Sequence, residues 1–176
     1  MRHLQFMSTK PEVIVLNVAE QKMNSEATGK TVSDLQSFFK GRQAKVLSMC
    51  GKIEMEIAQL SPGEARVFLD DLGIAEPARD KLIRVSYDLL GLISYLTYGE
   101  DEVRAWTIEK GMTAQQAAGR IHSDIERGFI RAEVVSYDDF IATGSIHAAR
   151  EKGHFRLEGK TYEVEDGDMI NFRFNV

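Results

Sequence analysis

Residues 11–18, PEVIVLNV, are a short unbroken apolar run rich in β-branched side chains. A strand that is apolar on both faces has no solvent side, so it belongs inside a parallel sheet covered by helices. The residues that follow agree with this. After a polar loop, Ser33 and Gln36 form an S-x-x-Q capping box for a helix through Phe38 and Phe39, with Gly41 as its stop. AKVLSM (44–49) reads as a second strand, and a helix from about Lys52 to Leu60 follows. Strand, helix, strand, helix predicts an α/β arrangement. Ser61, Pro62 and Glu64 supply the cap, first-position proline and capping-box acid of another helix, which Gly73 ends. Leu82, Val85 and Leu89, with Ile83, Tyr87 and Leu90, then recur at helical spacing.

From Gly91 the texture changes to short alternating runs broken by turns: LISYLTY, VRAWTI, FIRAEVVS, HFRLEG, KTYEVE and MINFRFNV. These predict a mixed, twisted sheet. Thr113 with Gln116 caps a helix over AQQAAGRI, and Ser136 to Gly144 reads as a second short helix. The last run puts Ile170, Phe172, Phe174 and Val176 on one face and Asn171, Arg173 and Asn175 on the other, the pattern of a core strand. One sheet wrapped on one helix in about 85 residues is a β-grasp (ubiquitin-like, α+β) pattern. The expected organisation is therefore an α/β unit over 1–91 with its linking helices, and a β-grasp unit over 92–176. Trp106, Phe129, Tyr162 and Phe172 are read as core.

Composition limits the function classes. No apolar run approaches the roughly 18 to 20 residues of a membrane span, and the first ten residues are too polar for a secretory signal, so a cytoplasmic location without membrane contact is expected. The single Cys50 excludes an internal disulfide framework. The net charge of -5 is uneven: residues 1–91 hold 12 basic and 12 acidic side chains, and residues 92–176 hold 10 and 15. That balance argues against wholesale binding to a phosphate backbone, so any RNA contact must be local. The local basic cluster of the acidic half is Arg120, His122, Arg127 and Arg131 in GRIHSDIERGFIR. Its plainer reading is solvated side chains and helix-end caps. The histidines show no metal spacing, and no metal site or catalytic residue is expected.

Gly29-Lys30-Thr31, behind an apolar run, invites comparison with a phosphate loop. That loop needs G-x-x-x-x-G-K-[ST], with its first glycine turning straight off the strand. Here Asn24 occupies the first-glycine position, about ten residues separate the strand from Gly29, and RVFLDD (66–71) lies in a helix pattern where a second phosphate-site motif would need a strand. A solvated loop leading into a capped helix is the better account. More informative is Asn17, with Glu20 three residues on, at the C-terminal end of a parallel strand, where open α/β sheets bind ligands. GTPases carry N-K-x-D there, the Asn ordering the loop and the Asp accepting hydrogen bonds from guanine. The next strand ends in Cys50-Gly51-Lys52, where such proteins have a second base-contacting loop. For Asn17 and Glu20 the plainer alternative is a solvated turn, and for Cys50 a small residue packed at a strand end.

GEDEVRAWTIEKGMTAQQAAGRIHSDIERGFIRAEVVSYDDF and the ending EGKTYEVEDGDMINFRFNV resemble the C-terminal TGS domain of the YchF/Obg-like ATPase family of P-loop proteins. The similarity continues upstream through KIEMEIAQL and LIRVSYDLLGLISYLTYGE to LQFMSTKPEVIVLNVAE. In that family N-x-x-E replaces N-K-x-D, and members resemble GTPases while commonly preferring ATP. Glu20 is one methylene longer than Asp, and Val18 stands where a Lys would stack on the base. A site that no longer demands the guanine edge loses its large penalty against adenine. The resemblance implies that Asn17, Val18, Glu20, Cys50, Gly51 and Lys52 are the base-reading positions of an OBG-type G domain. It also implies that the complete protein binds ATP or GTP with magnesium and associates with the ribosome or RNA.

The family's P-loop, switch regions and magnesium-binding D-x-x-G have no counterpart in this sequence, so the chain is expected to begin inside the G domain and to retain no nucleotide or metal by itself. Phosphoryl transfer depends on positioned phosphate ligands and magnesium; the chain alone is expected to be inactive. Strand edges left without their neighbours make self-association an expectation as well. The rival class is a non-catalytic module that binds RNA or protein through its TGS domain.

Overall fold

The computed structural model describes residues 10–99 and 102–175. The chain divides at Leu90/Gly91 into two compact units. In the first, β1 (Glu12–Asn17) and β2 (Ala44–Met49) pair in parallel, from Glu12 opposite Ala44 to Asn17 opposite Met49. A 3-10 turn (Glu20–Lys22) and α1 (Glu26–Phe38) connect them, and α2 (Gly51–Ile57), α3 (Pro62–Asp71) and α4 (Ala78–Leu90) follow. Leu47, Cys50, Ile53 and Leu69 are buried here.

The structure corrects two expectations in this unit. β1 is not buried on both faces: Val15 is 38% exposed, because β2 is its only strand neighbour among the described residues. The helix before β2 starts at Glu26, not near Ser33. Ser25 Oγ accepts the Thr28 N–H at 3.3 Å, and the buried Thr28 donates its hydroxyl to the Lys22 carbonyl at 2.8 Å, so the turn at 22–25 locks the helix start. Gly29-Lys30-Thr31 is therefore helical, neither a solvated loop nor a phosphate cradle, and Thr31 Oγ1 donates to the Ala27 carbonyl at 2.9 Å. The capping box at Ser61 and Glu64 forms as expected, with Pro62 in first position and Gly73 at φ 63° beyond the helix. α4 is capped from a distance: the Glu54 carboxylate accepts the Ala78 and Arg79 N–H groups at 2.8 and 3.3 Å.

The second unit holds β3 (Leu92–Tyr98), β4 (Val103–Glu109), α5 (Ala114–Ile121), α6 (Ser123–Arg127), β5 (Phe129–Ser136), α7 (Tyr137–Thr143), α8 (Ile146–Glu151), β6 (Arg156–Glu158) and β7 (Asp168–Phe174). The mixed sheet has the order β4-β3-β7-β5-β6, with β3 and β7 parallel and every other pair antiparallel. The reciprocal Thr113/Gln116 box starts α5, whose Ala114, Ala117 and Ala118 are fully buried. Such small side chains let the helix lie close on the sheet, over Ile93, Tyr95, Ile108, Ala132, Val134, Ile170 and Phe172. Trp106 and Tyr162 are partly buried against this core rather than inside it.

KTYEVE is not a strand. It forms one bridge, Glu163 opposite Thr113, while the Ala114 and Val164 N–H groups donate to the Tyr162 and Met112 carbonyls at 2.7 and 3.1 Å. HFRLEG contributes only the three residues of β6. On β7, Ile170 and Phe172 are buried as expected but Phe174, near the end of the strand, is 45% exposed; Val176 lies outside the described residues. α6 and α8 have no expected counterpart.

Candidate functional site

Parallel pairing puts the C-terminal ends of β1 and β2 side by side, so the residues that follow each strand meet although 32 to 34 positions separate them. Asn17 Oδ1 accepts the Gly51 N–H at 3.0 Å. Lys52 Nζ lies 3.0 Å from Glu20 Oε2 and 3.8 Å from Glu56 Oε1. The lysine pKa is raised chiefly by its hydrogen bond to Glu20, then by the charges of Glu20 and Glu56. The Val18 N–H continues the ladder by donating to the Met49 carbonyl at 2.8 Å. Cys50 is 3% exposed and closes the floor. Asn17, Val18, Ala19, Glu20, Gln21, Cys50 and Lys52 line an open cavity of about 380 Å³.

All six residues that the resemblance marks as base-reading positions thus gather at one place, with two differences from the sequence reading. The Gly51 amide is already occupied by Asn17, so it braces the asparagine instead of pointing free. The Glu20 carboxylate is likewise engaged, by Lys52. A Cβ at Gly51 would sit 3.4 Å from Asn17 Oδ1, an ordinary contact, so space alone does not demand glycine there.

The basic cluster does not stay together. His122 caps α6, its Nδ1 accepting the Asp124 N–H at 3.2 Å, and Arg127 pairs with Asp124. Arg120 lies 3.9 Å from Glu109. Arg131 projects from β5 on the opposite face from Ala132 and Val134, 4.0 Å from Glu133. The helix-end cap reading therefore describes Arg120, His122 and Arg127, while Arg131 belongs to another surface. Two constellations had no sequence signal: Glu133 clasped by Arg173 through two 3.1 Å bonds, and Asp168 receiving Tyr162, Arg156 and the Glu165 N–H. Period-two alternation places Glu133 and Asp168 on strands but cannot say which strand lies alongside. No group of His, Cys, Asp or Glu among the described residues could hold a metal ion.

Residues 92–175 match the family model YchF-GTPase_C, described as "Protein of unknown function (DUF933)". Over 175 residues, 99% of this chain, the sequence is 50% identical to the ribosome-binding ATPase YchF of Bacillus subtilis (strain 168), covering 48% of that protein. It is 42% identical over 175 residues to the protein of the same name from Escherichia coli O157:H7, covering 47% of it. Residues 92–175 belong to the YchF C-terminal family, and the chain is similar to YchF proteins over nearly its whole length. It spans about half the length of the curated relatives it matches. The structure of the Schizosaccharomyces pombe YchF GTPase superposes with a TM-score of 0.79 at 31% identity, over 93% of this chain and 43% of that one. A GTP binding protein from Pyrococcus horikoshii OT3 shares the fold, with a TM-score of 0.63 at 21% identity over 94% and 46% of the two chains.

Proposed function

We propose that this chain is the C-terminal portion of a ribosome-associated YchF-type ATPase, carrying the base-side half of a nucleotide pocket and a TGS domain of β-grasp type. The observation that carries the reading is the clasp between Asn17 and Gly51 beside Glu20 and Lys52, at the carboxyl ends of two parallel strands, where α/β sheets bind their ligands. The cavity lies within the roughly 300 to 1,000 Å³ range of small-molecule sites, and its polar rim suits a purine base. The phosphate and magnesium half does not fit the described residues: Gly29-Lys30-Thr31 is spent on a helix, and no acidic cluster is suited to the ion. No hydrolytic step is therefore assigned to this chain, and ATP or GTP with magnesium belongs to the complete protein. The sheet order, with first and last strands paired in parallel at its centre and α5 on one face, supports the β-grasp reading. Identity to ribosome-binding ATPases over 99% of the chain favours this reading above a free-standing module without nucleotide chemistry. The free edge of β1 suits pairing with the remaining sheet of the complete protein, and in isolation with a second copy. No helix among the described residues is long and apolar enough to cross a membrane, which agrees with a cytoplasmic setting.

Titration with fluorescent ATP tests the reading. The complete protein is expected to bind and this chain to bind at least a hundredfold more weakly, since most contacts to a triphosphate are phosphate contacts. Asn17→Ala in the complete protein strands the Gly51 N–H and is expected to weaken binding about tenfold, one lost hydrogen bond of about 1.4 kcal/mol. Unchanged affinity would remove the clasp from the site. The chain alone is expected to release no phosphate from ATP or GTP above background, and turnover by a sample free of full-length enzyme would refute the division of labour.

A further inference from the structure

We propose that Lys52 sets the purine preference of the cavity at the ends of β1 and β2, by holding the Glu20 carboxylate so that guanine finds no free acceptor while adenine loses nothing. The proposal rests on the nucleotide-pocket reading and deepens it by naming the residue that decides between the two bases.

The two purines differ on one edge. Guanine presents the O6 acceptor with the N1–H and N2–H donors, adenine presents the N6–H donor with the N1 acceptor, and both carry the N7 acceptor. A site selects guanine by offering a carboxylate to N1–H and N2–H and an N–H to O6, because a base without the matching groups leaves them unpaired. Both kinds of group exist here, and both are already engaged. The Gly51 N–H, on the loop after β2, donates to Asn17 Oδ1 at 3.0 Å. Lys52 Nζ donates to Glu20 Oε2 at 3.0 Å, and the ion pair offsets the charge that would draw two further donors to the carboxylate. With its oxygen bonded to Gly51, the Asn17 side chain has its NH2 group to offer a ligand, and N7, common to both purines, is an acceptor of that kind. Val18 and Cys50 also line the cavity and give either ring an apolar contact.

Lys52 reaches Glu20 because of where it stands. It is the second residue of α2, and its Nζ lies between Glu20 Oε2 and, 3.8 Å away, Glu56 Oε1 one turn further along the helix. The Lys52 and Glu20 side chains are 63% and 40% exposed, so in water the pair contributes little to folding. A base seated over it excludes water and strengthens the same pair. Its effect therefore falls on the choice of ligand and not on stability.

The test is displacement of fluorescent ATP from the complete protein by ATP, GTP and ITP, read as ratios of affinity. The three carry the same triphosphate, so a change in pocket charge cancels in the ratio and the base edge remains. Wild type is expected to hold ATP at least as tightly as GTP. Lys52→Met frees Glu20 and is expected to raise GTP relative to ATP about tenfold, the scale of one hydrogen bond to a charged group. ITP, which lacks the N2 amino group, should gain less. Lys52→Arg keeps the pair and should leave the ratio within about twofold of wild type. Adding Glu20→Gln to Lys52→Met should restore the wild-type ratio, because the gain runs through the carboxylate. A thermal midpoint equal to that of wild type verifies folding of each variant. Four results would overturn the proposal: a wild-type preference for GTP, an unchanged ratio in Lys52→Met, a ratio that falls there because Lys52 serves guanine O6, or a gain that persists in the double variant. Asn17→Ala separates the two readings. If it weakens all three nucleotides while Lys52→Met leaves the ratio unchanged, this inference alone fails; if neither variant alters any affinity, the nucleotide-pocket reading fails and takes the inference with it.

Discussion

Tyr95→Ala is expected to remove most of the stability of the second unit. Tyr95 is fully buried at the centre of the core, edge-on to Phe172 with ring centroids 5.9 Å apart, and its hydroxyl donates to the Ala117 carbonyl at 2.9 Å. Truncating a buried aromatic costs about 3 to 5 kcal/mol, because the cavity does not collapse fully. The alanine face of α5 has no long side chain to fill the space. A unit of this size has about 4 to 13 kcal/mol in total. Tyr95→Phe keeps the ring and loses only the bond to the helix, about 1 kcal/mol. Trp106 is the chain's only tryptophan and packs against this core, so its fluorescence in a urea titration reports the second unit. A Tyr95→Ala midpoint no lower than that of Tyr95→Phe would show that the core does not depend on the ring.

The second large effect is expected at Asp168. This carboxyl is 1% exposed and receives the Tyr162 hydroxyl at 2.7 Å, the Glu165 N–H at 2.9 Å and Arg156 at 3.2 Å. Tyr162 and Glu165 tie the 159–167 loop, and Arg156 ties β6, to the start of β7. Asp168→Ala strands all three, at a cost of about 3 kcal/mol, the scale of breaking a buried charged network by removing one partner.

The same group gives a pH signature. Burial is the largest influence on Asp168 and raises its pKa, while the Glu165 N–H, Tyr162 and Arg156 pull it down less strongly. A carboxyl whose folded pKa lies above its unfolded value of about 4 contributes stability that is fully present below pH 4 and is lost as pH rises through the folded pKa. The stability of the wild type relative to Asp168→Asn should accordingly fall as pH rises from about 4. A difference that grows over that range would reverse the sign, and one that stays flat would mean the shift is absent.

How much of the site was legible depends on how far its parts lie apart in the chain. Asn17 and Glu20 stand three residues apart behind an apolar run, and Cys50-Gly51-Lys52 directly follows a six-residue strand, so both halves could be found. Their mutual bonding could not, because Asn17 with Gly51 and Glu20 with Lys52 are joined only by the β1–β2 register. The basic cluster failed for the converse reason. Arg127 and Arg131 are near in sequence, yet one belongs to α6 and the other to the far face of β5. The start of α1 was misplaced because Ser25 and Ser33 are both acceptable caps; the buried Thr28, bonded back to Lys22, chooses between them.

The order of residues by itself determined the elements whose reasons are local: Thr113 bonded to Gln116 three residues away, Ser61 to Glu64, and the runs of β3 and β5 written in period-two alternation and bounded by turns. It also located the change of texture at Gly91 and carried the family resemblance. Only the tertiary structure decided that β1 is half exposed, that Glu54 caps α4 and that Glu133 faces Arg173 across 40 residues. Caps and alternation are set by bonds and sterics within a few residues. Cross-strand partners are set by which edges the whole chain brings together.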